Sequence, residues 1–390
     1  MNAAIPADVP ESESVLTAVQ KIAEEIRDRV EDVERARRLP ADLHALLRGL
    51  GVYRLILPTG HGGIQASVTD VLDVIETLAT IDGSVAWTTA IGIQSPAVLS
   101  WLPRKTFDDL YAAGPDVTVG GAFGPQGTAE IVDGGYRVSG RWSFASGCDN
   151  WDHLFANCVL TRNGKPVEGP GGQPRLRAML FAKDRASFLD TWHTLGLRGT
   201  GSKDFTLDEV FVADDHSFDI ATAAPCVEGI SRYPLIEFGH HLATIAIGVA
   251  QGALNDLSDS AAERRRALSR TTVAANPTVQ HRIGKAETGL RAARELVRRQ
   301  AALQRADGQD GDFAQLMAVA SANNAWVVDT CIGVVDTCFR AYGARGIYNS
   351  SAMQRRLRDI YTIAQHATLN DGAWTRHGAA LFGQETGLLV

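Results

Sequence analysis

The stretch Gly134-Gly135-Tyr136-Arg137-Val138-Ser139-Gly140-Arg141-Trp142-Ser143-Phe144-Ala145-Ser146-Gly147 reads as the turn and second arm of a β-hairpin. Asp133-Gly134-Gly135 is the turn signal, because these residues tolerate the positive φ angles of tight turns. A short strand over Ala129 to Val132 enters the turn and a longer one, Tyr136 to Phe144, leaves it. By the period-two rule Tyr136, Val138, Gly140, Trp142 and Phe144 share one face. That face ends in two large aromatics and is followed by the small turn Ala145-Ser146-Gly147. Two readings stay open from these residues alone. One is a half-buried hairpin with an ordinary aromatic core. The other is a flat apolar wall with hydroxyl and amide groups at its rim, suited to a planar, partly polar ring.

Working outward, the chain on the N-terminal side of this hairpin is helical. Val15, Val19, Ile22, Ile26, Val30 and Val33 recur at steps of three and four, which predicts an amphipathic helix over 14–38. Pro40 opens a second helix through Leu50, closed by Gly51. Ser67 is the expected N-cap of a long helix, Ser84 that of the next, and Thr106 to Ala113 forms another. From Gly114 the segments become short and β-branched, with strands expected at Val117–Val119, Ala129–Val132, Tyr136–Phe144, His153–Leu160, Arg177–Phe181 and Phe205–Phe211. Pro225 marks a return to helix, with four long patterns at 236–260, 277–306, 312–342 and 350–382. The expected organisation is a helical domain over 1–115, a β-barrel or sandwich over 116–222 and a four-helix bundle over 223–390.

The 390 residues carry a net charge of −7 and a pI near 5.8, which argues against a nucleic-acid binder. No apolar run approaches the ~20 residues of a membrane span, and the first residues lack a charged signal region. Cytoplasmic location and no membrane partner are the expectation. Five cysteines (Cys148, Cys158, Cys226, Cys331, Cys338) form no CxxC pair, and reduced buried thiols follow. The histidines show no metal-ligand spacing, so no metal is expected.

Helices, then a small β module, then a long bundle is an unusual order, and four segments give it a family. Trp142-Ser143-Phe144-Ala145-Ser146-Gly147, Trp192-His193-Thr194-Leu195-Gly196-Leu197-Arg198-Gly199-Thr200-Gly201-Ser202, Asp208-Glu209-Val210-Phe211-Val212 and Arg358-Asp359-Ile360-Tyr361-Thr362-Ile363-Ala364-Gln365-His366 are spaced as in the acyl-CoA dehydrogenase superfamily. More narrowly, the chain resembles the oxygenase components of two-component flavin-dependent monooxygenases built on that fold. The resemblance implies reduced FMN or FAD arriving from a separate NAD(P)H-flavin reductase, since no nicotinamide-binding βαβ unit is visible. It further implies O2 activation as a C4a-hydroperoxyflavin, hydroxylation of a small aromatic, polyketide-like or heteroatom-bearing substrate, and a homotetramer. Two alternatives on the same fold are a true flavin dehydrogenase and an amine or amino-sugar N-oxygenase. A flavin-free binding module is a third.

The resemblance also assigns residues. Trp142, Phe144 and Ser146 belong to the hairpin edge that lies against the flavin ring, with Ser146 near its N5. Phe123 sits in the second flavin-contacting loop, where dehydrogenases carry Thr-Glu-Pro and this chain has Phe123-Gly124-Pro125. Gly199-Thr200-Gly201-Ser202 beside Arg198 is either a phosphate cradle through backbone N–H groups, with Thr200 and Ser202 as cofactor contacts, or a plain turn. Arg270 in the cluster after Arg264 suits a flavin phosphate. His366 stands where dehydrogenases supply a proton-abstracting Glu. As the expected catalytic residue, it accepts a phenol proton or stabilises activated oxygen. Gln94 occupies the helix position at which several aromatic hydroxylases carry a His. Gln hydrogen-bonds a substrate but is no base near neutral pH. Trp192 is expected to border the same cavity.

Overall fold

The structure, a computed structural model, describes residues 14–265, 271–306 and 313–384. The first apolar stripe forms two helices rather than one, α1 (Val15–Lys21) and α2 (Ala23–Ala36), separated at Ile22. After α3 (Ala41–Gly49) comes α4 (Val68–Ile81), capped as expected by Ser67, whose Oγ accepts from the Asp70 N–H. The cap of α5 (Gly83–Ile93) is Asp82 and not Ser84. Asp82 Oδ1 accepts from the Ser84 and Val85 N–H groups at 2.9 and 3.0 Å, and its charge meets the positive end of the helix. Nearly every residue of α5 is buried, so this helix runs through the protein's interior. Short helices α6 (Ser95–Leu99) and α7 (Arg104–Tyr111) complete the region.

The β module is one mixed sheet of eight strands: β1 (Val119–Val132), β2 (Gly135–Ala145), β3 (His153–Arg162), β4 (Lys165–Pro166), β5 (Leu176–Ala182), β6 (Ser187–Leu189), β7 (Lys203–Ala213) and β8 (Ser217–Phe218). Their order is β6-β7-β2-β1-β3-β5-β8, with β4 beside β3. The strands expected near Val119 and Ala129 are the two ends of the single strand β1. The sheet curls on itself. Phe181 of β5 comes within 6.0 Å of Phe205 of β7, although three strands separate them along the sheet. A barrel-like interior results, with no pairing between the outermost strands.

Trp142 fills that interior. It is fully buried, stacks on Phe205 at 5.3 Å, and donates from Nε1 to the Asn157 carbonyl at 2.7 Å. Gly127 makes room for it, since a Cβ there would lie 2.2 Å from Trp142 Cζ2. The expected cofactor contact of Trp142 is therefore corrected to a core role. Its shared face with Phe144 is corrected too. Between Trp142 and Ala145 the pairing of β2 with β7 slips by one residue, and Phe144 takes φ +67°. This β-bulge reverses the alternation, so Phe144 points outward and is 70% exposed.

The C-terminal region contains α8 (Pro234–Ala261), α9 (Pro277–Ala306), α10 (Phe313–Tyr342), α11 (Ala352–Ile363) and α12 (Gly372–Leu381). The fourth pattern, expected as one helix over 350–382, divides into α11 and α12 around a turn that carries His366. By length and composition α10 could cross a membrane, yet 61% of its most apolar window is buried inside the protein, where it packs on α8 and α9. Trp142→Ala is expected to lower the unfolding free energy by about 3–5 kcal/mol, the usual loss for a large core aromatic. A drop in the urea midpoint reads this out; a midpoint close to wild type would return Trp142 to the surface.

Candidate active site

Trp87 is the residue through which the three regions meet. It lies on α5, and its Nε1 donates to Ser146 Oγ at 3.1 Å, just after the bulge of β2. Ser146 Oγ lies 2.7 Å from Ser202 Oγ, and Ser202 Oγ lies 2.7 Å from Thr200 Oγ1. Thr200 Oγ1 in turn donates to the Leu197 carbonyl at 2.9 Å. Three of the residues expected at the cofactor, Ser146, Thr200 and Ser202, are thus assembled into one buried line of hydroxyls.

The phosphate-cradle reading of 199–202 does not survive this geometry. The Gly199 N–H donates to Ser84 Oγ, the Thr200 N–H to the Leu197 carbonyl and the Gly201 N–H to the Arg198 carbonyl. Arg198 pairs with Glu34 and donates to the Thr194 carbonyl. Three of the four N–H groups of 199–202 are therefore already engaged. Leu197 itself adopts φ +49°, and its N–H is held by Asp359 Oδ1 at 2.7 Å. Burial and the neighbouring Asp82 charge push the Asp359 carboxyl upward from the usual range.

His366 packs against Trp87, the indole at the head of this line. Its ring is edge-on to Trp87 at 5.7 Å and to Phe238 of α8 at 6.0 Å. This apolar enclosure lowers its pKa to about 4, so the imidazole is neutral at pH 7. The Thr368 N–H approaches His366 Nδ1 at 3.3 Å and the Thr368 hydroxyl at 2.9 Å. A backbone N–H only donates, so Nδ1 is the acceptor and the proton resides on Nε2. The expectation that His366 accepts a phenol proton is corrected accordingly: as held, the residue offers a donor.

A small pocket, open to solvent, lies beside the His366 neighbour Phe238. Phe123, Phe155, Ile91 and Trp101 help to line it, and Gln94 is the one polar side chain in its wall. Gln94 Nε2 is 2.9 Å from His241 Nδ1, a buried pair that fixes the amide. Phe123, expected at the flavin, and Gln94, expected at the substrate, line one cavity, with Phe123 packed edge-on against Phe155 at 4.9 Å. Trp192 lies elsewhere: it is edge-on to the exposed Phe144 at 6.3 Å and donates to the Leu197 carbonyl at 3.0 Å. It is absent from the lining of the Gln94 pocket, which corrects the shared-cavity expectation. Arg270 lies outside the described residues. Of its cluster, Arg264 sits 3.9 Å over the Tyr342 ring. Among the described residues no group of His, Cys, Asp or Glu could hold a metal.

Sequence reasoning missed Trp87, Phe238 and His241. Trp87 lies in an apolar helix and has the look of core; His241 shows no ligand spacing. Only proximity across the fold gives them meaning.

Against known proteins, residues 10–102 match the family model "Acyl-CoA dehydrogenase, N-terminal domain" and residues 240–371 match "Acyl-CoA dehydrogenase, C-terminal domain". The chain is 31% identical over 379 residues to an indole-3-acetate monooxygenase of Pseudomonas putida, covering 94% of each. It is 28% identical to the oxygenase component of an FADH(2)-dependent resorcinol hydroxylase from Rhizobium sp., covering 97% of each. The crystal structure of 3-HSA hydroxylase from Rhodococcus sp. RHA1 superposes with a TM-score of 0.86 at 25% identity, covering 97% of this chain and 100% of that one.

A pH dependence follows from the neutral His366. An unfolded histidine takes up a proton near pH 6.5, whereas folded His366 resists until about pH 4, so stability falls as pH drops through that window. His44, lowered to about 4 by burial, acts in the same sense. In His366→Gln the loss of urea stability between neutral pH and a pH of about 4.5 should be smaller than in wild type. An equal loss would mean that the His366 ring is freely solvated.

Proposed function

The chain belongs to the acyl-CoA dehydrogenase family, in the branch of flavin-dependent monooxygenase oxygenase components, and from that membership we propose that it transfers one atom of O2 to a small uncharged aromatic substrate. Reduced FMN or FAD comes from a separate NAD(P)H-flavin reductase. When bound, the reduced flavin supplies the electrons and the position at which O2 is activated.

The residues present fit such a ring. Phe144 is held outward by a bulge at positive φ, edge-on to Trp192, and so much exposed aromatic surface beside a line of hydroxyls suits a flat, apolar group with a polar edge. Phe144 and Trp192 then serve as its wall and Ser146 as its polar contact.

One observation carries the reading: His366, neutral and with its proton on Nε2, faces Trp87 where a dehydrogenase needs a carboxylate base. A fixed N–H donor in an apolar cleft stabilises negative charge that develops on oxygen during transfer. It does not remove a substrate α-proton. Among the described residues the wall of the Gln94 pocket has no carboxylate, which disfavours the binding of a cationic amine for N-oxygenation. Its apolar walls exclude water while the Gln94 amide orients the substrate by hydrogen bonding. The proposal extends to a cytoplasmic homotetramer. Trp326, Trp374 and Phe382 leave apolar surface on the C-terminal helices for further copies, and the five cysteines are free.

Turnover with a supplied reductase, NADH and indole or phenol substrates tests the chemistry. His366→Ala should lower product formed per O2 consumed by about tenfold or more, with the missing oxygen appearing as hydrogen peroxide. Unchanged coupling would remove His366 from oxygen transfer.

A further inference from the structure

The pocket beside Phe238 has one polar side chain in its wall, and that side chain is anchored from behind. Gln94 stands at the joint between α5 and α6. Its amide has two ends of opposite character, since Nε2 only donates and Oε1 only accepts. Nε2 lies 2.9 Å from Nδ1 of His241, and both residues are buried. An amide N–H facing a ring nitrogen makes that nitrogen the acceptor. Oε1 has no partner among the described residues and is not sealed off, so it opens on the cavity. His241 reaches the amide from α8. Phe238, three residues earlier and on the same face of that helix, stands in the pocket wall with its ring 6.0 Å from that of His366. One turn of α8 thus supplies both the partition between His366 and the pocket and the anchor of the pocket's amide. The aromatic walls, Trp101, Phe123, Phe155 and Phe238, pack against any flat ring and do not tell a ring N–H from a ring oxygen.

We propose that His241 is a positioning residue: it holds the Gln94 amide with the carbonyl toward the substrate, so that the pocket selects aromatic rings bearing an N–H or O–H over rings of the same shape that present only a lone pair. This rests on the oxygenase reading above and adds to it the polar group of the substrate and the pair of residues that reads it. A ring N–H or hydroxyl meets Oε1 as a donor. A ring oxygen or an ether meets it lone pair to lone pair and leaves an enclosed acceptor unpaired. The selectivity lies in the anchoring. An amide free to turn over would offer its own N–H to the second kind of ring and discriminate against neither. His241 acts only through Gln94, since it is no part of the pocket wall.

Calorimetric titration with indole, benzofuran, phenol and anisole tests this without turnover. Wild type should bind indole about three- to tenfold more tightly than benzofuran, and phenol more tightly than anisole by a similar factor, the worth of one neutral hydrogen bond. In His241→Leu the amide is released, and both ratios should fall toward unity while benzofuran binds at least as well as before. His241→Asn returns an acceptor oxygen near the former Nδ1 and should restore the wild-type ratios. A loosened α8 would instead weaken all four rings together and leave the ratios unmoved. Equal wild-type affinities, a preference for benzofuran, no binding of any of the four rings, or wild-type ratios in His241→Leu would each overturn the proposal. Product formation with a supplied reductase is scored separately. Indole oxidised without these preferences would leave the oxygenase reading standing, whereas the expected preferences without any oxidised product would count against that reading and not against the anchoring of Gln94.

Discussion

A single run of hydrogen bonds holds the three parts of this protein in register. It begins at Trp87 on the buried helix α5, passes through Ser146 at the bulge of β2 and Ser202 and Thr200 at the start of β7, and reaches Leu197. Asp359 of α11 takes the Leu197 N–H from the other side. Each group along it is buried or nearly so, and an unsatisfied polar group in such a place costs roughly 1–3 kcal/mol. The strained φ of Leu197 persists because these contacts determine it on both sides.

Around that run the chemistry is divided by environment. The hydroxyl line is buried and hydrogen-bonded from end to end. His366 is enclosed by Trp87 and Phe238, is neutral, and presents a donor. The pocket beside Phe238 has apolar walls and one amide, held by His241. Trp87 touches both the hydroxyl line and the histidine. Charge is kept out of the pocket wall and collected instead in structural pairs, such as Arg355 with Asp82 and Arg356 with Asp256.

The sequence made much of this legible, for physical reasons that differ by element. The apolar spacing of α4 and its Ser67 cap are local signals, and they hold. The hairpin turn at Gly134 is likewise local, and β1 and β2 pair through it. The expectation for Phe144 fails because the period-two rule assumes an unbroken ladder. A one-residue slip against β7 between Trp142 and Ala145, invisible in β2 alone, turns Phe144 outward, while Trp142 stays inward on the face of Val138. The cap of α5 went to Asp82 since carboxylate and hydroxyl competed for the same helix end and the carboxylate also gains from the helix dipole. His366 was found by its place in a motif, but its role turned on Thr368, two residues on, which dictates the tautomer.

By itself, the sequence determined the order of helical, β and helical regions, the family, and the residue types from which a flavin site is made, because periodicity, turn residues and motif spacing are written along the chain. Only the tertiary structure decided what those residues do. The assembly of the hydroxyl line, the neutrality of His366 and the pairing of Gln94 with His241 each depend on groups far apart in sequence. A proton's location is fixed by the partner on the other side of the bond, and that partner is supplied by the fold.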